Sequence, residues 1–139
     1  MNLGMAMLLF FFQGLSGEPG FLVVTSTNTK IEHLSKLELR QIWLKKRDRI
    51  GKVRVTPIQL DTGHPVRTDF DRWLYRKGFP LEEYWLKQRL QAGEKPPHSV
   101  ANEAFVLIYV ERNPGFIGFV PVSYRRELKK FKVKVIPIQ

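Results

Sequence analysis

The sequence predicts an α/β domain in which helices cover the faces of a sheet. Short β-branched or apolar runs alternate with amphipathic segments, in the order strand, helix, strand, three helices, two strands. This alternation is typical of α/β folds. The length of 139 residues suits one domain, and a hydrophobic content of 43% supplies a core. We therefore predict a single domain over residues 18–139, without internal repeats.

The first residues have features of a secretory signal peptide. Met5–Phe12 is almost entirely apolar, and Gln13–Gly20 is rich in small and turn-forming residues. The apolar run is shorter than the ~20 residues that a transmembrane helix needs. No Lys or Arg precedes it, so a truncated start, or a hydrophobic strand or anchor, is the alternative. We predict a signal peptide over residues 1–17 and a mature protein that is periplasmic or otherwise exported, not transmembrane.

The first elements of the domain carry clear local signals. The β-branched run Phe21–Ser26 predicts a buried strand. Ser35 and Glu38 have the spacing of a capping box, which predicts the start of a helix. Val53–Leu60 predicts a second strand. Because Pro57 cannot donate to a β-ladder, we expect this strand at a sheet edge or bulged there.

Proline and glycine mark the ends of the next two helices. Pro65 suits the first position of a helix, where its missing N–H costs nothing, and Gly78 predicts its end. Pro80 begins another helix, and Gly93 follows it. These two helices therefore follow each other directly in the chain.

The last part of the chain predicts one long helix and two strands. Ser99 serves as the N-cap of a helix that continues through Arg112. Strands are predicted over Phe116–Val122 and Val133–Ile138. A short basic helix over Ser123–Lys130 joins them.

The chain is strongly basic, with a formal net charge of +10. Such a surface attracts phosphate, nucleic acid or an anionic membrane, although a solvated surface that aids solubility explains it equally well. Aromatic residues do not interleave with the basic segments as they do in single-strand stacking platforms, which disfavours nucleic acid. The absence of cysteine excludes a disulfide scaffold, a thiol nucleophile and a cysteine-ligated metal.

Motifs for catalysis and metal binding are missing. The three histidines have no carboxylate at metal-ligand spacing; they are His33, His64 and His98. There is no nucleophile-elbow serine and no Walker phosphate loop. The paired acidic residues fit the surfaces of helices. We therefore predict that the protein is not an enzyme and uses no metal or cofactor.

Two polar segments that follow predicted strands are candidate anion sites. The first is the turn before the helix at Pro65, where a helix N-terminus presents backbone N–H groups and a positive dipole end. Gly63 allows a ligand close to the backbone, and Arg67 adds a charged donor. The candidate ligand-binding residues of this turn are Thr62, Gly63, His64 and Arg67. The alternative is a turn that these residues merely organise.

The second candidate segment follows the first strand. Loops at the carboxyl ends of parallel strands are where open α/β sheets bind ligands. The candidate residues, all with small hydroxyl or amide side chains, are Ser26, Thr27 and Asn28. An ordinary polar loop is the alternative.

Three segments resemble motifs of one family. Leu34–Lys45 resembles the "L-S-x-x-E-L-x-x-I-F-x-G-K" helix of phosphate ABC transporter substrate-binding proteins. Val55–Phe70 resembles the strand, glycine-containing turn and helix that follow in that family. Asn113–Val120 resembles the "N-P-G-A-I-G-Y-V" segment. Order and rough spacing match across most of Phe21–Val122.

The resemblance implies a fold and an activity. The fold is an α/β, periplasmic-binding-protein type II-like lobe, with a mixed sheet flanked by helices. The activity is non-catalytic capture of phosphate or another oxyanion for a transporter. Full-length members hold the anion between two lobes, and this chain matches one lobe.

The sequence departs from the family at the implied anion site. The Ser-Gly-Thr of the family aligns with His64, Pro65 and Val66, which lack both hydroxyls and one N–H. The family's arginine before this turn aligns near Leu60. The alternative function is therefore a protein-interaction module that kept the fold, lost the ligand and docks an acidic partner or the membrane.

Overall fold

The computed structural model describes residues 19–139, so the predicted signal peptide lies outside the described part. None of the helices in this part is long and apolar enough to cross a membrane. The strands are β1 (Phe21–Ser26), β2 (Arg49–Ile50), β3 (Val53–Arg54), β4 (Thr56–Leu60), β5 (His98–Val100), β6 (Phe116–Pro121) and β7 (Val133–Val135). The helices are α1 (Lys36–Trp43), α2 (Pro65–Leu74), α3 (Leu81–Ala92) and α4 (Glu103–Arg112), with 3-10 turns at Val122–Tyr124 and Glu127–Lys130.

Five strands form one mixed sheet in the order β5-β4-β6-β1-β7, and β2 pairs with β3 in a separate hairpin. β4 runs parallel to both of its neighbours, whereas β1 runs antiparallel to both of its own. The predicted α/β class with a mixed sheet is therefore confirmed. Two names below refer to the ends of the strands and not to the outermost strands of the sheet. We call the side at which β4 and β5 end the upper edge, and the opposite side, at which β1 ends, the lower edge.

Local sequence signals explain where the first helix begins. The Ser35 hydroxyl accepts from the Glu38 N–H at 3.0 Å, and the Glu38 carboxylate accepts from the Ser35 N–H at 2.9 Å. This reciprocal capping box is the one predicted from the sequence. It fixes the start of α1, whose inner face buries Leu39, Ile42 and Trp43.

The long helix predicted from Ser99 begins later than expected. Ser99 lies in β5, which pairs in parallel with the second half of β4. Asn102 is the N-cap of α4, and its side-chain oxygen accepts from the Phe105 N–H at 3.0 Å. A three-residue strand carries little periodic signal, and a serine fits an N-cap and an exposed strand position equally well.

Pro57 does not place its strand at a sheet edge. β4 lies between β5 and β6. Pro57 pairs with Ile117 of β6, and the pairing with β5 begins one residue later, at Ile58. The missing N–H therefore falls where the β5 ladder has not yet begun, which makes a proline tolerable in an inner strand.

The helix that starts at Pro65 ends earlier than predicted. α2 stops at Leu74, and Tyr75 is the C-cap with extended backbone geometry. Gly78 lies in the following turn with a φ of 79°, in the left-handed region that favours glycine. The glycine thus marks the turn between α2 and α3 and not the helix end itself.

Aromatic side chains fasten α2 to the sheet. The rings of Phe70 from α2 and Phe119 from β6 stack with centroids 3.9 Å apart. Trp43 of α1 packs against both rings, and Phe21 of β1 contacts them edge-on. Phe70, Phe119 and Trp43 are completely buried. This cluster fixes the position of α2, which carries the first candidate site.

Candidate functional site

The first candidate site is the turn at the upper edge, between β4 and α2. The Asp61 N–H donates to the Val100 carbonyl at 3.0 Å, and the His64 N–H donates to the Asp61 carbonyl at 3.1 Å. Gly63 has a φ of 98°, a conformation that a residue with a Cβ adopts only with strain. Thr62 is exposed at the tip. The turn is therefore closed by its own backbone and presents the Thr62 side chain outward.

His64 caps α2 and links it to α4. Its Nδ1 accepts from the Val66 N–H at 3.3 Å, so the ring proton is on Nε2 and is donated to the Glu103 carboxylate. The N–H groups of Arg67 and Thr68 both donate to the His64 carbonyl. Because Pro65 has no N–H, no N–H in the first turn of α2 lacks an acceptor among the described residues. The predicted helix N-terminus is present, but its donors are used within the protein.

Arg67 is the residue of this turn that reaches inward. Its side chain is only 12% exposed. Nη1 donates to the Leu60 carbonyl at 2.8 Å, and Nε donates to Asp71 Oδ2 at 2.9 Å. A guanidinium group has five N–H donors, and these two contacts use two of them. The other three N–H groups have no hydrogen-bond partner within residues 19–139, and Arg67 lines a cavity between α2 and α3.

This α2–α3 cavity has a volume of about 880 Å³. Thr62 and Arg67 line it together with side chains from the α2–α3 connection and from α3. The lining side chains important for its chemistry are Asp71, Tyr75, Phe79, Trp85, Leu86 and Arg89. Cationic, aromatic and acidic groups thus face one space. Within residues 19–139, no three His, Asp or Glu side chains are grouped as they would be around a metal ion.

Burial changes the ionisation of two groups in the cavity wall. Desolvation raises the pKa of Asp71, and the charge and hydrogen bond of Arg67 offset part of this. Its Oδ1 has no hydrogen-bond partner within residues 19–139. Desolvation also raises the pKa of Tyr75, and the negative charge of Asp71 adds to this effect. Tyr75 therefore remains a hydroxyl donor well above neutral pH.

The second predicted segment lies at the lower edge, far from this cavity. β1 runs antiparallel to β6, which runs parallel to β4, so β1 ends where β4 begins. The Ser26 hydroxyl is buried and hydrogen-bonded to the Thr29 hydroxyl at 2.8 Å. Thr27 and Asn28 are exposed. The structure therefore does not bring Ser26, Thr27 and Asn28 together with the Arg67 turn.

Sequence reasoning missed most of the cavity wall. Tyr75 follows the last residue of α2. Trp85 and Arg89 belong to α3, whose apolar residues do not form a consistent helical face. Buried Gln59 of β4 also lines the cavity. Its side chain accepts from the Trp43 indole N–H and donates to the Pro97 carbonyl. A polar residue in the otherwise apolar second half of a strand was the available signal for this contact.

Solved structures share this fold. PstS from Borrelia burgdorferi matches with a TM-score of 0.67 and 13% identity, over 86% of this chain and 47% of that one. A receptor for ABC-type phosphate transport from Vibrio cholerae matches with a TM-score of 0.63 and 13% identity, over 86% of this chain and 46% of that one. A Clostridium perfringens protein is described as a phosphate ABC transporter substrate-binding protein and was solved with bound phosphate. It matches with a TM-score of 0.62 and 17% identity, over 86% of this chain and 44% of that one.

The chain spans less than half of the length of each of these proteins. No protein-family model matches it, and no curated protein is detectably similar in sequence. Identities of 13–17% establish the fold and not the ligand. The resemblance predicted from three sequence motifs is thus confirmed at this level: the chain has the periplasmic-binding-protein-like fold found in part of the phosphate ABC transporter substrate-binding proteins.

Proposed function

We propose that the chain is an exported solute-binding-type domain that captures phosphate or another oxyanion for a transport system. The proposal rests on the fold and on the cavity at the upper edge. Two of the structural relatives named above are described as proteins of phosphate ABC transport, and one of these was solved with bound phosphate. Capture by such a domain needs no catalytic group.

The observation that carries the proposal is the setting of Arg67. Its side chain is nearly buried and is held by the Leu60 carbonyl and Asp71. Arg67 lines the α2–α3 cavity, and these two contacts leave three of its N–H donors unused. An arginine that is already fixed loses little conformational freedom when it binds an oxyanion. Thr62 adds a hydroxyl at the same cavity, and the net charge of +10 attracts anions to the protein.

Calorimetric titration with phosphate and sulfate at matched ionic strength tests this function. We expect saturable binding of phosphate by the purified protein. Arg67→Gln is expected to weaken it by about 1.5–3 kcal/mol, the scale of a hydrogen bond to a charged group. Arg72→Gln is the matched control, because Arg72 is an exposed arginine of the same helix that pairs with Asp69 outside the cavity.

A second cavity variant separates loss of binding from loss of folding. Thr62→Val keeps the β-branched shape of an exposed side chain, so its fold is expected to be intact. It is expected to weaken phosphate binding by about 1 kcal/mol. Equal affinity in the natural protein, Arg67→Gln and Thr62→Val would remove the cavity from the function.

The basic hairpin supports a second candidate function, a protein-interaction module. Residues 45–54, which include β2 and β3, carry six basic side chains and one acidic one. All six basic residues are exposed. Such a surface suits an acidic protein partner or an anionic membrane. Absence of phosphate and sulfate binding, together with salt-sensitive binding to acidic partners that is lost when these basic residues are replaced, would favour this candidate.

A further inference from the structure

The α2–α3 cavity is much larger than an inorganic ion. Ligand pockets of roughly 300–1,000 Å³ hold molecules of drug size, and this cavity, at about 880 Å³, falls within that range. A phosphate ion has a volume comparable to a few water molecules at ~30 Å³ each. An inorganic ion beside Arg67 would therefore leave most of the cavity filled with water.

The space beyond Arg67 has aromatic and aliphatic walls. Tyr75 and Phe79 stack with their ring centroids 5.4 Å apart, and Trp85 is 8% exposed at the cavity wall. Leu86, although 54% exposed, lines the same cavity. An aromatic ring can stack on such groups and remove their surface from water.

Two further donors accompany these walls. Within residues 19–139, neither the Tyr75 hydroxyl nor the Trp85 indole N–H has a hydrogen-bond partner. Each group has one proton to donate to a ligand oxygen. Aromatic side chains with free donors are typical of pockets that fix the orientation of an otherwise apolar ligand.

The cavity lining has two guanidinium groups, Arg67 and Arg89, and three carboxylates, Asp71, Glu82 and Glu83. Arg67 is paired with Asp71, and Glu83 lies 3.6 Å from the Lys87 Nζ on the helix surface. Arg89 and Glu82 remain as charged groups at the cavity without an ion pair within residues 19–139. A small hydrated ion has only its contacts with the guanidinium groups to offset its dehydration, whereas an anion with an apolar body also gains from burial of that body.

We propose that the α2–α3 cavity takes an organic oxyanion with an aromatic or comparably bulky apolar body, its anionic group at Arg67 and Arg89 and its body against Trp85 and Leu86. This inference rests on the proposed oxyanion capture and specifies its ligand class. Among ligands that share the same anionic group, we therefore expect the affinity to rise with the size of the apolar body.

The test compares phenyl phosphate with methyl phosphate, because the two share the phosphate monoester group and differ in the body. We expect phenyl phosphate to bind the purified protein at least about tenfold more tightly, as burial of roughly 60 Å² of additional apolar surface requires. Inorganic phosphate is titrated in parallel. Methyl and phenyl phosphate of equal affinity would overturn the inference, and phosphate binding in the same experiment would leave the proposed function intact. Absence of binding by all three anions would overturn both.

Two exposed leucines of α3 form a matched pair for locating the ring. Leu86 lines the cavity, and Leu90, one helical turn later and 76% exposed, does not. Leu86→Ala is expected to lower the affinity for phenyl phosphate by about threefold, in proportion to the contact area lost, and to leave methyl phosphate unchanged. Leu90→Ala is expected to change neither. A preference for phenyl phosphate that both variants retain in full would place the ring elsewhere and overturn the inference.

Arg89 has a matched control as well. Arg89→Gln is expected to weaken both esters by several-fold, whereas Arg72→Gln, an exposed arginine of α2 outside the cavity, is expected to leave both unchanged. Equal affinities for Arg89→Gln and the natural protein would remove Arg89 from the anion's binding site and contradict the proposed placement.

Discussion

The turn after β4 and the loop after β1 look alike in sequence but differ in the structure. Both are short polar segments that follow a buried strand. At the upper edge, Arg67 lines a cavity and has N–H donors that its two hydrogen bonds do not use. At the lower edge, the Ser26 and Thr29 hydroxyls bond to each other, and Thr29 also accepts from the Gly115 N–H at 2.9 Å. A count of polar side chains therefore does not show which of them remain available to a ligand.

The direction of the strands explains much of this difference. In a parallel sheet, loops that follow strands meet at one edge, and this expectation made the segment after β1 a candidate site. β1 is antiparallel to its neighbours, so its loop is carried to the opposite edge. Strand direction depends on pairing between distant segments, which local sequence patterns do not contain.

The largest expected effect concerns the anchoring of the upper-edge region. Phe70→Ala removes the ring that stacks on Phe119 and fastens α2 to the sheet, and should lower the free energy of unfolding by about 3–5 kcal/mol. Urea unfolding of the two proteins measures this difference. Leu37→Ala, at an exposed leucine of α1, should change stability by less than about 0.5 kcal/mol. A small loss for Phe70→Ala would show that α2 is held by other contacts.

A smaller effect is expected at the lower edge. Thr29→Val leaves the buried Gly115 N–H without its acceptor and the Ser26 hydroxyl without its partner, at a cost of about 1–3 kcal/mol in stability. Phosphate affinity should not change. The control is Thr27→Val, because the Thr27 side chain is exposed and makes no hydrogen bond within residues 19–139. Weaker phosphate binding by folded Thr29→Val would contradict a purely structural role for this loop.

The smallest effect concerns Tyr75 in the cavity wall. Burial raises its pKa above the ordinary value of 10.0, so the unfolded chain ionises first as the pH rises. The stability contributed by the neutral phenol is complete below pH 10.0 and declines above it, by up to about 1.4 kcal/mol per pH unit. Urea unfolding is measured between pH 9 and 11, because a free tyrosine has a pKa of ~10. The free energy of unfolding should decline less steeply with pH for Tyr75→Phe. Parallel declines for both proteins would contradict the burial of this hydroxyl.

Much of the fold could be predicted because its signals are local. The capping box at Ser35, the proline at the start of α2 and the left-handed glycine after α3 all act within a few residues of the chain. The three-residue strand β5 could not be predicted, since its existence depends on pairing with β4. The same limit explains why Pro57 was expected at a sheet edge.

The candidate site was predictable only in part. Arg67 and Thr62 were found because they adjoin a turn before a helix, a pattern that the sequence shows directly. Trp85 and Arg89 line the same cavity because of the position of α3 relative to α2, which no local pattern encodes. The use of the His64 ring as a helix cap also depends on a distant partner, Glu103 of α4.

Phosphate binding in the α2–α3 cavity is tested most directly by NMR of the backbone amides during a titration with phosphate. If phosphate binds in the α2–α3 cavity, we expect saturable shifts of amides in residues 59–67 and 85–97, with residues 26–29 unchanged. Saturable shifts confined to residues 26–29 or to the basic hairpin at residues 45–54 would contradict binding in this cavity, because they would place the anion at the lower edge or on the hairpin.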